Sequence, residues 1–222
     1  PEDVPSIVGF DPQDESIEID RKPTTDDPFS ALVFKISTHP FYGKLVFVRV
    51  YSGSVKPGDT VLDSTKEKKE RVGKIFQMHA DKENPVDAAE AGNIYTFVGL
   101  KNVTTGDTLC DASRVVKLPA PVFPKPSLFM AVTVAKKGDE GKISSALARL
   151  MEEDPTLCYI NNAETHQQII GGLGEQHLDV VKAKLKNKFG VEIGLEAPRI
   201  AYRESIRKAC QKQGRHKKQT GG

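Results

Sequence analysis

The segment GGLGEQHLDVVKAKLKNKFG, residues 171–190, joins a cluster of glycines to a strongly patterned stretch. Leu178, Val181 and Leu185 recur at the spacing of one helix face, which predicts an amphipathic helix that begins just after the glycines. Glycines before a helix can bind a phosphate, because the free N–H groups at a helix N-terminus attract anions. The segment therefore leaves two alternatives, a phosphate site or a structural corner between a strand and a helix.

The glycine cluster lacks the residues that a nucleotide-binding loop requires. A P-loop places a lysine and a hydroxyl residue directly after its last glycine, whereas Gly174 is followed by Glu175, Gln176 and His177. An acidic first turn complements the helix N-terminus and repels an anion. We therefore predict a structural corner and no cofactor site in this chain. His177 has no triad or ligand set around it in the sequence and is assigned no catalytic role.

Around this segment, residues 127–198 alternate strand-like and helix-like patterns. The stretch DEGKISSALARLMEED, residues 139–154, places its apolar side chains on one helix face, with Asp139 as the N-cap and Pro155 ending the helix. The strand patterns are SLFMAVTVA (127–135), TLCYINN (156–162), THQQIIGG (165–172) and VEIGLE (191–196). The resulting order, β-α-β-β-α-β, is typical of a ferredoxin-like domain.

Residues 29–111 follow a different pattern, with short runs rich in Val, Ile, Phe and Tyr. Turn sequences such as KPGD at residues 56–59 separate these runs. Short strands at even spacing, without helices between them, favour a small β-barrel. We assign residues 1–116 to this barrel and treat residues 1–28 as its N-terminal extension.

The segment KLPAPVFPKP, residues 117–126, contains four prolines. Proline is excluded from helix interiors and central strands, so the segment predicts an extended linker between two domains. The predicted fold class is therefore multi-domain, β and α+β, with a β-barrel followed by a ferredoxin-like βαββαβ domain. Residues 199–222 are predicted to be the stub of a further domain, and its tail from Tyr202 onward carries the lysines and arginines Arg203, Arg207, Lys208, Lys212, Arg215, Lys217 and Lys218.

The composition indicates a soluble globular protein, with 38% hydrophobic and 28% charged residues among 222 and a net charge of +2. No apolar run approaches the roughly 20 residues that span a bilayer, so no membrane partner is expected. Cys110, Cys158 and Cys210 are widely spaced and predict free thiols in a reducing cytoplasm. No nucleophile–base pair or metal-ligand spacing is present, so we expect no catalytic residues, no metal and no activity in the chain alone.

Two segments of the barrel carry candidate contact residues. Residues 66–71 (KEKKER), predicted to lie between two strands, either form a charged hairpin that keeps a sheet edge soluble or contact an RNA backbone. Lys44 follows the loop HPFYG, residues 39–43, whose aromatic side chains are expected to pack rather than to bind a partner. Contact by charge and shape with folded RNA is the functional alternative for the first segment.

Several blocks resemble the elongation factor G family of translational GTPases. GKLVFVRVYSGSVKPGDTV (43–61) resembles the translation-factor barrel that these GTPases share, and STKEKKERVGKIFQMHA (64–80) and VGLKNVTTGDTLCD (98–111) resemble bacterial elongation factor G itself. LARLMEEDPT (147–156) and GGLGEQHLDVV (171–181) resemble its domain III, and AYRESI (201–206) with KKQTGG (217–222) resembles the start of its domain IV. The resemblance implies domains II and III with a stub of domain IV, and a GTPase domain preceding residue 1.

The resemblance also implies a function, the non-catalytic middle part of a factor that uses GTP hydrolysis to move tRNA and mRNA on the ribosome. GTP and magnesium would bind in the absent GTPase domain. The implied partners are small-subunit ribosomal RNA and protein, and the other domains of the same monomeric, cytoplasmic chain. The candidate ribosome contacts are Lys44, Lys66, Lys68, Lys69 and Arg71. The positions that match the family's fusidic acid pocket are Asp154, Pro155, Thr156, Gln176 and His177, where Gln176 replaces the leucine of the usual GELHL.

Four other functions remain as alternatives. The chain is also compatible with a specialised paralogue of elongation factor G, or with a ribosomal protection protein that displaces tetracycline. A stand-alone RNA-binding module without a GTPase partner belongs to a different class. A free-standing enzyme is the least favoured alternative, because the sequence offers no catalytic constellation.

Overall fold

The computed structural model describes residues 4–134 and 138–215, in which a β unit is followed by an α+β unit. The predictions made for Ala135, Lys217, Lys218 and the KKQTGG block at 217–222 lie outside these residues. Neither helix of the described part is long and apolar enough to cross a membrane.

The first unit is an antiparallel β structure. Its strands in the described residues are β1 (Ile7–Phe10), β2 (Glu18–Arg21), β3 (Ser30–His39), β4 (Gly43–Ser52), β5 (Ser54–Val55), β6 (Thr60–Asp63), β7 (Lys68–Arg71), β8 (Ile75–His79), β9 (Lys82–Pro85), β10 (Ala89–Glu90), β11 (Ile94–Val98) and β12 (Thr108–Cys110). Eight of these strands form one sheet in the order β7-β6-β12-β3-β4-β11-β8-β9. The Gly73 N–H donates to the Val98 carbonyl at 2.8 Å, so the connection from β7 to β8 crosses to β11 and curls the sheet into a barrel.

Alternation along the strands fills the barrel. In β4, Val46, Val48 and Val50 are fully buried, while the side chains between them are only partly covered. Together with Phe97 of β11 and Leu109 of β12, these residues belong to one apolar cluster. Period-two burial of β-branched and aromatic residues is the pattern from which the barrel was predicted, and the barrel is confirmed.

The N-terminal segment packs against the barrel as a hairpin. Strands β1 and β2 pair with each other, and Ile7 and Ile19 cover a small apolar cluster that includes Val116 and Leu118. Phe10 and Lys117 exchange two backbone hydrogen bonds of 2.8 Å each. Regular pairing ends after this point, where the prolines from position 119 onward remove N–H donors.

The second unit has the predicted order β-α-β-β-α-β. Its elements are β13 (Leu128–Val134), α1 (Glu140–Glu153), β14 (Cys158–Asn162), β15 (Gln167–Gly172), α2 (Glu175–Phe189) and β16 (Ile193–Glu196). The antiparallel sheet has the order β14-β15-β13-β16, which is the ferredoxin-like arrangement. Ile143 and Leu147 of α1 and Leu178 and Leu185 of α2 are buried against the sheet in one apolar cluster.

The start of α1 differs from the prediction in one respect. Asp139 does precede the helix, but its side chain makes no capping hydrogen bond. Its carboxylate instead pairs with the ammonium of Lys142 at 3.0 Å, and its backbone carbonyl accepts the Ile143 N–H. A lysine one turn away competes for the carboxylate and turns it away from the helix end.

The glycines of the opening segment are explained by close packing. A Cβ atom on Gly171 would lie 2.6 Å from the sulfur of Cys158, and one on Gly172 would lie 2.8 Å from Leu178. Both glycines therefore allow β15 to approach its neighbours and the first turn of α2. These contacts support the structural corner rather than a phosphate site.

Candidate functional site

Strand β7 carries a row of exposed cations at one edge of the barrel sheet. It is the terminal strand of the eight-stranded sheet, and Lys68, Lys69 and Arg71 are exposed. The prediction placed these residues between two strands, which is wrong, because Lys68–Arg71 is itself a strand paired with β6. Its alternation turns Glu70 inward and Lys69 and Arg71 outward, so two cations lie side by side along a sheet edge.

Glu70 holds this strand in place. It is 4% exposed, and its carboxylate accepts the backbone N–H groups of Lys101 and Asn102 and the Asn102 amide, each at 2.9 Å. Burial opposes ionisation, but these N–H groups hold the pKa of Glu70 below its ordinary value. Glu70 was not among the predicted site residues, because the hydrophobic pattern of KKER gives no sign of an inward-facing anion.

Lys66 is separated from the other cations by its internal contacts. Its ammonium donates to the Asn102 carbonyl at 2.7 Å and the Thr104 hydroxyl at 2.6 Å, and pairs with Asp107 at 2.5 Å. These three partners use all three ammonium donors. The side chain therefore connects the β6–β7 turn to the loop before β12, and it does not join the exposed row on β7.

A buried carboxyl pair lies beneath Lys66. Asp63 is fully buried, and its Oδ1 accepts the N–H groups of Thr65 and Lys66 at 3.1 and 3.2 Å. Its Oδ2 is buried and accepts no hydrogen bond from the described residues. Burial and the negative charge of Asp107 raise the pKa of Asp63 to about 6. This turn is therefore built on an acid that resists ionisation.

Lys44 lies at the junction of the two units. Its ammonium donates to the Val103 carbonyl at 2.8 Å and pairs with Glu152 of α1 at 3.3 Å. Its side chain is only 16% exposed. Lys44 thus contacts the second unit and lies apart from the cations of β7, with which it was proposed as a ribosome contact.

Asp154, Thr156 and His177 form one hydrogen-bonded group in the second unit. Asp154 Oδ1 accepts the Thr156 N–H at 3.0 Å and its hydroxyl at 2.5 Å, and Asp154 Oδ2 lies 2.9 Å from His177 Nε2. The Nδ1 atom of the same imidazole accepts the Leu173 N–H at 3.0 Å. Acceptance at Nδ1 places the proton on Nε2, so His177 donates to Asp154. The other two matched positions, Pro155 and Gln176, are exposed beside this group.

This group connects the end of α1 to the start of α2. Burial raises the pKa of Asp154, but the hydrogen bonds from Thr156 and His177 outweigh it and hold that pKa below its ordinary value. His177 also accepts the N–H at the glycine corner, so one imidazole ties both connections together. No catalytic partner or substrate is needed to explain these contacts, which are structural.

We expect Asp154→Asn to lower the free energy of unfolding by about 1–2 kcal/mol at pH 7. The NH₂ group of the new amide would face the N–H donor of His177. If the imidazole proton moved to Nδ1 to avoid this, the Leu173 N–H would lose its acceptor. A carboxyl group with a depressed pKa stabilises the folded protein at pH values above its unfolded-state pKa. The stability difference between the two proteins should therefore shrink as pH falls below about 4. Denaturant unfolding of both proteins at several pH values measures it. A difference that stays constant down to pH 2 would contradict the ionised contact.

Comparison with protein families matches both units. The model described as elongation factor Tu domain 2 matches residues 43–110, and the model described as elongation factor G, domain III, matches residues 123–197. Together these ranges cover more than half of the chain. The first lies within the barrel and the second contains the complete ferredoxin-like unit.

A solved structure is similar to most of the chain. A crystal structure of a protein from Thermus thermophilus is similar with a TM-score of 0.70 and 29% sequence identity. The similarity covers 79% of this chain and 26% of that chain, so this chain spans about a quarter of its relative's length. The chain therefore carries a barrel of the elongation factor Tu domain 2 family followed by domain III of the elongation factor G family, a pair of domains that supports a translational GTPase of the elongation factor G type.

Proposed function

We propose that this chain is the non-catalytic middle part of a ribosomal translocation factor. The whole factor would use GTP hydrolysis, in a domain that this chain lacks, to move tRNA and mRNA during protein synthesis. The observation that carries the proposal is the pairing of a translation-factor barrel with domain III of the elongation factor G type. GTP and magnesium would be bound by that other domain, and the factor would act as a cytoplasmic monomer.

Strand β7 is the proposed contact with small-subunit ribosomal RNA. Lys68, Lys69 and Arg71 are exposed on a sheet edge, and Glu70 anchors the strand from inside. Cations on a rigid edge can neutralise phosphates without reading sequence. Lys66 and Lys44 would contribute indirectly, since both ammonium groups already have protein partners.

The group around Asp154 is the proposed contribution of this chain to a fusidic acid pocket. Asp154, Thr156 and His177 would form its rigid wall, and the exposed Pro155 and Gln176 would lie at its rim. Glutamine at position 176 replaces an apolar side chain with a polar amide. We therefore expect the drug to bind more tightly to a Gln176→Leu variant of the intact factor.

The translocation assay tests the proposal with the intact protein that contains this chain. Ribosomes carrying a peptidyl-tRNA in the A site are mixed with the factor and GTP, and the position of the mRNA is read by primer extension. We expect a shift of one codon that requires GTP. Release of bound tetracycline without any shift would favour the ribosomal protection alternative, and ribosome binding without nucleotide dependence would favour the stand-alone RNA-binding module.

We expect the double substitution Lys69→Gln and Arg71→Gln to weaken ribosome binding about tenfold near 0.1 M salt. Removing two phosphate contacts should also reduce the magnitude of the slope of log K against log salt concentration by about two. Filter binding across a salt series measures both quantities. The matched control is Lys35→Gln with Lys82→Gln, which removes the same charge from exposed sites on β3 and β9. Equal losses in the two double variants would mean that net charge, and not strand β7, governs binding.

A further inference from the structure

The two units meet through a small set of polar and charged groups. Glu153, the last residue of α1, accepts the backbone N–H of Thr38 in β3 at 2.7 Å and the ammonium of Lys188 in α2 at 2.5 Å. Its neighbour Glu152 pairs with Lys44 of β4 at 3.3 Å. We call these five residues the interdomain cluster. Two adjacent carboxylates thus link one end of α1 to the barrel.

Glu153 is the central residue of the interdomain cluster. Its side chain is 11% exposed, whereas that of Glu152 is 49% exposed. Burial opposes its ionisation, but Lys188 and Thr38 outweigh this effect and hold the pKa of Glu153 below its ordinary value. A charge-assisted hydrogen bond to a backbone N–H is directional. Glu153 therefore determines both the distance and the orientation of α1 on β3.

Apolar packing does not supply this orientation. The buried apolar residues of the barrel and those of the α+β unit form separate clusters. A cavity of about 490 Å³ opens beside the interdomain cluster, and its lining includes the charged side chains of Lys44, Arg149, Glu152 and Lys188. A charged junction is weakened by salt to a degree that a shared apolar core is not.

The covalent connection leaves the units free to change their relative placement. Residues 119–126 have no regular secondary structure, and Val122 is 96% exposed. A proline-rich segment of this kind is a semi-rigid spacer that keeps the units near each other, while the side-chain contacts of the junction set their angle. The interdomain cluster is therefore the part of the junction that can be made or broken while both units remain folded.

We propose that the interdomain cluster is an electrostatic switch that sets the placement of domain III on the barrel. With Glu153 bound to Thr38 and Lys188, the two units move as one body. When salt or a substitution breaks these contacts, the units reorient about residues 119–126. This switch lies within the chain and operates whether or not the chain is part of a translocation factor.

The Thr38 amide offers a direct measurement on the full 222-residue chain, because its N–H donates to Glu153. We expect Glu153→Ala to increase its hydrogen exchange rate at least about tenfold, measured by NMR. Glu153→Gln keeps an oxygen acceptor and should recover much of the protection. Exchange at Val48 and Ile170 should stay unchanged, because these amides report on the barrel and on the second sheet.

Small-angle scattering tests the reorientation itself. The radius of gyration should increase in Glu153→Ala at low salt, and in the wild type when the salt is raised from about 0.05 to about 1 M. The matched control is Glu192→Gln, which removes the exposed 2.7 Å pair with Lys186 inside one unit. This control should change neither the Thr38 exchange nor the radius of gyration.

Lys188→Gln keeps the proposal testable if Glu153→Ala fails to fold. This residue lies near the end of α2, and its substitution should shift Thr38 exchange in the same direction by a smaller factor. Unchanged Thr38 exchange and an unchanged radius of gyration in the folded variants and at high salt would overturn the switch. Faster exchange at Thr38, Val48 and Ile170 together would also overturn it, since that result means global destabilisation.

Discussion

Replacing Asp63 with asparagine is expected to raise the free energy of unfolding by up to about 3 kcal/mol at pH 7–8. The folded protein buries this carboxyl beside Asp107, which raises its pKa from 3.8 to about 6. Asparagine has nearly the same shape and remains neutral. Its amide oxygen can still accept the N–H groups of Thr65 and Lys66. Its NH₂ group can donate to Asp107, which the Asp63 carboxylate repels.

The sign of the effect follows from proton binding. Between about pH 4 and 6 the folded protein holds a proton on Asp63 that the unfolded chain has released. Wild-type stability from this group is therefore highest below pH 4, falls as pH rises to 6, and stays low above. The difference between Asp63→Asn and the wild type should be near zero at pH 4 and reach its maximum above pH 7.

Chemical denaturation at several pH values measures this difference directly. Comparing two proteins at each pH cancels the opposite trends from Glu70 and Asp154, whose depressed pKa values favour folding as pH rises. Asp107→Asn is the control, because it also removes a negative charge but takes away the partner of Lys66. Stabilisation by Asp107→Asn alone, or a pH-independent gain from Asp63→Asn, would contradict the buried pair as its source.

The secondary structure was predictable where burial and periodicity coincide. Strand β4 alternates fully buried valines with side chains that are only partly buried, and α2 buries Leu178, Val181 and Leu185 at helical spacing. Strand β7 was not recognised as a strand of its own, because its residues, KKER, include no apolar side chain. Its inward position is occupied by an anion with three hydrogen bonds, and hydrophobic patterning carries no signal for such a residue.

The candidate site was predictable in part. The family resemblance named Asp154, Thr156 and His177, which the structure brings together across 23 positions, but it did not identify their bonds. Lys66 and Lys69 look equivalent in the sequence, yet one is bound internally and the other is exposed. The contact between Thr38 and Glu153 uses a backbone N–H from 115 positions away, and side-chain identity cannot reveal such a donor.

Replacing Glu70 with alanine is expected to lower the free energy of unfolding by about 3 kcal/mol. The substitution removes one carboxylate that accepts three N–H groups from Lys101 and Asn102. Water can reach part of the exposed loop, so the cost is less than three full charge-assisted bonds. Because the pKa of Glu70 is depressed, its stabilisation is present above pH 4.5 and is lost as pH falls through the folded value.

The variant also separates the stability of β7 from its charge. Glu70→Ala adds one to the net charge and leaves Lys69 and Arg71 in place, so simple attraction predicts tighter RNA binding. We expect weaker ribosome binding, because a strand without its internal anchor no longer holds the two cations at a fixed spacing. Glu67→Ala is the matched control, since it removes the same charge from an exposed residue of the neighbouring turn. Amide exchange at Lys101 and Asn102 should rise in Glu70→Ala and stay unchanged in Glu67→Ala. Tighter ribosome binding in both variants would show that net charge alone governs binding and that the rigid placement of Lys69 and Arg71 is irrelevant.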